Sequence, residues 1–432
     1  MENIIIYSDE SNHDKSITLK DDILNIDKEN GSREYIRSYL SINEEALENF
    51  LHNFVESENA LRISSNTNYE IKATKCLKIS GTRGVSKVEE KYIKHLTTLF
   101  SLLNDLDTTC IIVSCNKIEY MVKEAISINI DRIHRNHPSF YDIINNETVI
   151  YSYAKYFQNY YTENLIKPLF LGESNINYKI QRELSNINKD LKTSFLKSKE
   201  YKVGLTLIDF MKKRFVDFTA KPYYSWNYSL ESEIFLKKFK LTDSETTYSF
   251  KFDGGTKFKK IFEGKLKEMG NESIVQEGDS QSETMLRVVD WLATFFGKLL
   301  RSYSNSFKMD KQEDKQIVLN TVHEIKDEWF DLTEEQFILF KVINKYLSNN
   351  KLFFLGGVLS DNILGIKNYI EYISSYETFE KFNLIPSYIH GRESNRLLNS
   401  QWDTFYNEKN IYFDSNDTTK GITYEHYIKI NS

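Results

Sequence analysis

The chain has 432 residues, 40% of them hydrophobic and 27% charged, with a formal net charge of −6. That balance suits a soluble globular protein with a large core and two or three domains. It excludes a disordered chain and a globally basic nucleic-acid binder, so a nucleic-acid partner would have to meet a local basic face. Glycine (16) and proline (4) are scarce, which argues against long flexible linkers and for helix-rich structure.

Three cysteines, Cys76, Cys110 and Cys115, show no CxxC or zinc-type spacing and read as reduced structural thiols of a cytoplasmic protein. The N-terminus enters an apolar run directly, without a basic or long apolar leader. No run reaches the ~18 residues of a membrane helix, so neither secretion nor membrane spanning is expected.

The first element predicted is a strand over Ile4-Ile5-Ile6-Tyr7, ending in Ser8-Asp9-Glu10-Ser11. Short β-branched runs bounded by polar breakers read as buried strands. Asp9 would then emerge at the strand end; a polar turn with Asp9 or Ser11 as a cap is the simpler reading. A short strand at 17–19 and a longer one at 35–42 follow. Asn43 reads as the N-cap of an amphipathic helix over 44–55. A short strand or extended piece spans 69–75, carrying Glu70 and Lys72, which would share one face because strand side chains alternate; a surface ion pair explains them equally. A helix over 86–103 and a compact strand at 110–114 complete a β-β-β-α-β-α-β order, the pattern of a mixed sheet with helical cover.

Residues 119–244 then turn helical and aromatic. Tyr151, Tyr153, Tyr156, Phe157, Tyr160 and Tyr161 recur at helical spacing and read as core. A strand candidate at 169–171 ends at Glu173, a helix covers 178–196, and Met211-Lys212-Lys213-Arg214 is a basic cluster. The alternating segment 247–252 is a strand ending at Asp253-Gly254-Gly255. After it, an amphipathic helix over 256–269 would turn Phe258, Ile261, Phe262 and Met269 inward and Lys257, Lys259, Lys260, Lys265 and Lys267 outward. The longest apolar helix of this half runs over 283–300. Beyond a polar boundary near 303–312, helices are expected at 311–329, 333–347 and 362–374, with a strand candidate at 411–413.

Asp290 sits inside that apolar helix, where a lone carboxylate is costly unless compensated. Its helical neighbours Ala293 and Gly297 are small enough for close approach to a sheet. Either a cation or a metal shared with other acids satisfies it, or it lies on a narrow solvent stripe beside Arg287. Asp253 is equally open: Asp-Gly is a turn signal, yet a strand end before a helix is where an active-site acid belongs in a layered α/β fold. Glu173 competes for the same place. His13, His134, His137, His323 and His390 lack metal spacing and take no role.

Four segments in order give the chain a resemblance. Tyr7-Ser8-Asp9-Glu10-Ser11, Glu70-Ile71-Lys72, the strand ending at Asp253, and the stretch from Asp279-Ser280 into the helix with Asp290 and Ala293 resemble the motifs of the domain-of-unknown-function 3800 family of RNase H-like proteins. In the last helix the family's Gln and first Ala are replaced, while Asp and the following Ala are kept. The resemblance covers residues 1–303, interrupted by the helical insertion 119–244; residues 304–432, mainly helical, lie outside it. It implies an α/β, RNase H-like mixed sheet flanked by helices and a metal-dependent nuclease acting on RNA or DNA, with a role in defence against phage or mobile elements. Asp9, Glu70, Asp253 and Asp290 would ligate Mg²⁺ (or Mn²⁺), Glu70 serving as a further ligand or general base, and Lys72 would contact the scissile phosphate. Two such ions can activate water and neutralise the phosphate together. The basic face of Lys257, Lys259 and Lys260 and the 211–214 cluster would hold nucleic acid, and the C-terminal region would dock a protein partner or second copy. The competing expectation is an inactive scaffold of the same fold that binds nucleic acid or protein.

Overall fold

The structure is a computed structural model that describes residues 2–11, 16–27, 31–65, 71–136, 138, 144–192, 198–239, 246–254, 256–271, 273–306 and 325–408. Six strands form the central sheet: β1 (Glu2–Ser11), β2 (Glu34–Asn43), β3 (Thr108–Asn116), β4 (Thr246–Asp253), β5 (Ile274–Gly278) and β6 (Leu352–Gly356). Their spatial order is β6-β3-β2-β1-β4-β5. β2 pairs antiparallel with β1 and β3, while β4 is parallel to β1, β5 to β4 and β6 to β3. The central strands are covered on both faces, which is why β1 and β2 read as near-continuous apolar runs; Ile6, Tyr7, Ile36, Tyr39 and Leu40 are buried.

One face is covered by α1 (Glu44–Ser64), a turn of helix α2 (Ala73–Cys76), α3 (Glu90–Asp105) and, against the sheet itself, α6 (Thr284–Ser304). The other face carries α4 (Ser229–Phe239) and α5 (Thr256–Glu268). Phe235 of α4 stacks on Tyr39 of β2 at 3.8 Å, and Phe258 and Phe262 of α5 pack edge-on to Phe252 of β4. α6 is apolar almost all round, as expected of a helix enclosed by other elements: Leu286, Val289, Trp291, Phe295 and Phe296 are buried. Each such side chain contributes about 1.5–3 kcal/mol by leaving water. The Asn43 side chain caps α1, accepting from the Glu45 N–H.

The C-terminal region joins the same core. α7 (Glu334–Ser348) packs on α3, β6 extends the sheet beside β3, and α8 (Asp361–Ser374) lies on α6, where Gly365 meets Tyr303 so closely that a Cβ would sit 2.3 Å from its ring. Thr333 and Gln336 close a reciprocal capping box at the start of α7, satisfying two otherwise orphaned donors.

Several sequence expectations change. Residues 73–75 are helical, not strand, with Ala73 and Cys76 buried one turn apart; Lys72 is the extended residue before them. The 169–171 segment is no strand: Pro168 opens a 3-10 turn over Lys167–Leu169, where its fixed φ fits and its missing N–H costs nothing. Met269 is 55% exposed, and Leu266 takes the inward place. The second helix starts at Glu90 and not near 86. Most of the helix expected at 311–329, and the strand at 411–413, lie outside the described residues. The tyrosines of 151–156 are buried in a core helix, Asn146–Asn159.

Candidate active site

Asp9 lies near the end of β1 with only 9% of its surface exposed. In the register, Ser8 pairs with Phe252 of the parallel strand β4. Asp9 and Asp253 therefore stand level on adjacent strands at their carboxyl ends. On the other side of β1, Asp9 faces Ser38 of β2, whose hydroxyl donates to the Val289 carbonyl of α6 at 2.9 Å. That bond fixes the helix over the sheet one residue before Asp290.

Three aspartates, from β1, β4 and α6, thus lie in one neighbourhood. Burial pushes the Asp9 carboxyl well above the ordinary range. The neighbouring carboxylate of Asp290 adds to the rise and that of Asp253 adds less, while the Glu10 N–H, donating to Asp9 Oδ1 at 2.7 Å, and Arg37 pull it back. Burial and like charges both disfavour ionisation. Asp290 is half-buried and accepts from Thr294 Oγ1, one turn on, at 3.2 Å. Asp253 accepts from the Ser280 N–H at 3.4 Å, and Lys72 Nζ reaches Ser280 Oγ at 3.5 Å. Lys72 therefore stands at the rim beside Asp253.

Arg287 gives its guanidinium fork to Glu58, with Nε to Oε1 at 2.9 Å and a terminal nitrogen to Oε2 at 3.1 Å. That contact ties α6 to α1. Glu173 lies in the turn before the helix Ile176–Lys192 and pairs with Lys179, which leaves Asp253 as the acid beside Asp9. Glu70 lies outside the described residues. Among the described residues no three His, Cys, Asp or Glu side chains stand close enough to ligate one ion as placed.

The basic face expected on α5 is largely engaged. Lys257 donates to the Trp226 carbonyl at 3.1 Å, Lys259 approaches Glu263 at 3.9 Å, and Lys260 is exposed. In the 211–214 cluster Met211 is buried and Lys213 pairs with Asp209. Ser38 and Thr294 carry no site reading in the sequence, and Ser280 enters there only as part of the Asp279-Ser280 stretch. Thr294 left a signal in its spacing of four from Asp290 on one helix face.

A second polar centre lies directly beneath, on the opposite face of the sheet. Arg37 of β2, 2% exposed, pairs with Glu10 and donates to the Tyr35 hydroxyl at 3.1 Å and to Ser8 Oγ at 3.4 Å. Its guanidinium carbon lies 3.7 Å from the Phe258 ring centroid, and its Nε lies 4.0 Å from the buried Glu231 of α4.

No protein-family model, curated protein or solved structure matches the chain in comparison. No helix among the described residues is long and apolar enough to cross a membrane.

Proposed function

We propose that this chain is a metal-dependent nuclease with an RNase H-like core. The observation that carries the reading is the meeting of Asp9, Asp253 and Asp290, from two adjacent parallel strands and the helix laid across them, at the strands' carboxyl ends. The sheet supports it: β3-β2-β1-β4-β5 with only β2 reversed is the strand arrangement of RNase H-like folds, with β6 added outside it.

The donor set fits a hard divalent cation, since carboxylate oxygens are what Mg²⁺ and Mn²⁺ take. A cation at this point would also remove the repulsion now raising Asp9. Asp9, Asp253 and Asp290, with Glu70, would hold the metal, which would supply an activated water and neutralise phosphate charge. Lys72, at the rim, would meet the substrate phosphate.

The test is cleavage of labelled single- and double-stranded RNA and DNA with Mg²⁺ or Mn²⁺, comparing wild type with Asp9→Asn and Asp290→Ala. Cleavage abolished by EDTA and reduced at least about a thousandfold in both variants is expected, the scale on which removing one member of a cooperative constellation acts. Equal cleavage by all three proteins, or none by wild type with no metal binding in calorimetry, overturns the reading in favour of a non-catalytic scaffold.

A further inference from the structure

The segment from Ile71 to Val88 carries five cations, Lys72, Lys75, Lys78, Arg83 and Lys87, and no acid, in a chain whose net charge is −6. Its apolar residues turn inward: Ile71, Ala73, Cys76, Leu77, Val85 and Val88 are buried. The cations turn outward, with Lys75, Lys78, Arg83 and Lys87 all exposed. Lys78 lies 3.5 Å from Glu89. Lys75, Arg83 and Lys87 form no ion pair among the described residues.

This segment is a fixed strap. Lys298 of α6 donates to the carbonyls of Thr74 and Leu77, Trp329 Nε1 to the Gly81 carbonyl at 3.0 Å, and Gln336 to the Val85 carbonyl at 3.1 Å. Gly84 adopts φ +53°, and a Cβ there would come within 2.8 Å of the Trp329 ring, so only glycine lets the turn lie flat on it. The strap begins beside the three aspartates, where Lys72 reaches Ser280, and at Gly81 it abuts Asn305 just past the end of α6. From Asp290 to that point α6 rises about 22 Å.

We infer that the 71–88 strap is the phosphate-tracking surface of this protein: it holds the sugar–phosphate backbone of a nucleic acid strand running from the three-aspartate site along the outside of α6. The inference rests on the nuclease reading and deepens it by locating the strand on this strap and not on α5. Phosphates repeat about every 3.4 Å along one strand of a duplex, so the strap spans several. Its contacts are charge contacts made by long side chains on a fixed backbone. They give affinity and register but no base specificity.

The experiment is fluorescence anisotropy in EDTA, where no metal-dependent cleavage proceeds, with the full chain and fluorescein-labelled RNA and DNA of about 20 nucleotides, single-stranded and duplex, at several salt concentrations. Lys75→Glu/Arg83→Glu/Lys87→Glu is compared with a control of equal charge change on exposed residues elsewhere, Lys123→Glu/Lys189→Glu/Lys192→Glu. The strap variant is expected to bind at least about tenfold more weakly and to lose about 2 from the log–log salt slope, at about 0.7 per single-strand phosphate contact. The control should stay within about twofold of wild type. Equal loss in both variants, or no binding by wild type, overturns the inference. Cleavage measured on the same proteins separates the two proposals. Loss of binding in the strap variant, with neither cleavage nor metal binding by wild type, keeps the strap and removes the nuclease. Wild-type cleavage with binding unchanged in the strap variant does the reverse.

Discussion

Asp9 and Glu10 are consecutive on β1 and point to opposite faces of the sheet, and the two faces treat them in opposite ways. Glu10 meets Arg37, held by Tyr35, Ser8 and the Phe258 ring. Asp9 meets Asp290 and Asp253 and, among the described residues, keeps only the N–H of Glu10 as a close donor. The same strand thus carries one half-buried acid that the fold compensates and one buried acid that it crowds with like charge. An arginine two strand positions from Tyr39 was enough to settle the first. The second is left in a state that a divalent cation would relieve, which is why the proposed chemistry is assigned to the α6 face.

The strongest way to break the comparison is Asp9→Asn. It should abolish metal-dependent cleavage and, in metal-free buffer at pH 8, raise the thermal midpoint by a few degrees. The sign follows from linkage. Asp9's folded pKa lies above its unfolded value, so the folded state holds the extra proton between the two, and stability falls as pH rises through that window. The neutral amide removes that loss. An Asp9→Asn protein less stable than wild type at pH 8 without metal would mean that Asp9 is compensated like Glu10.

Arg37 is the matching test on the opposite face. Removing one partner of a buried charge network costs about 3–5 kcal/mol, because the others stay buried without it. Arg37→Met should lose that much in denaturant unfolding, and adding Glu10→Gln and Glu231→Gln should recover more than half. Additive losses would show that the three residues do not act as one network.

The site's parts were legible to different depths. β1 and α6 stand out because an apolar run and an apolar periodicity are local signals, and Asp9 and Asp290 are the polar residues that interrupt them. Asp253 was legible as a strand end but not separable from Glu173, since the three-residue apolar run Leu169-Phe170-Leu171 cannot be told from a strand by pattern alone. The helical turn Ala73–Cys76 is too short for periodicity to register. β6 escaped for another reason: Leu352–Gly356 is a five-residue run whose partner, β3, is remote in sequence, and parallel pairing leaves no local turn signature. The Arg37 network was invisible because Glu231 comes from α4, far along the chain, and nothing in either local sequence announces the meeting.

Glu231 gives the subtlest test, because its compensation is only partial. It accepts a hydrogen bond from the Tyr39 hydroxyl through Oε1, its Oε2 has no hydrogen-bond partner among the described residues, and Arg37 Nε stands 4.0 Å away. Burial raises its pKa to about 7, with Arg37 and the Tyr39 bond lowering it and Glu10 raising it. Since the folded value lies above the unfolded one, full stability is present at about pH 4.5 and is lost as pH rises through about 7. The loss reaches at most about 3 kcal/mol, at 1.36 kcal/mol per unit. Glu34, buried at the start of β2 and also raised to about 7 by burial against the lowering bonds of Ser114, Asn116 and Asn362, adds a loss of the same sign. Urea midpoints between pH 5 and pH 8 should therefore fall in wild type, and Glu231→Gln should lessen that fall, with Glu34 and Asp9 supplying the rest. An unchanged slope in Glu231→Gln would mean that Arg37 holds Glu231 ionised throughout, as it holds Glu10, and the crowded acids would then be confined to the α6 face.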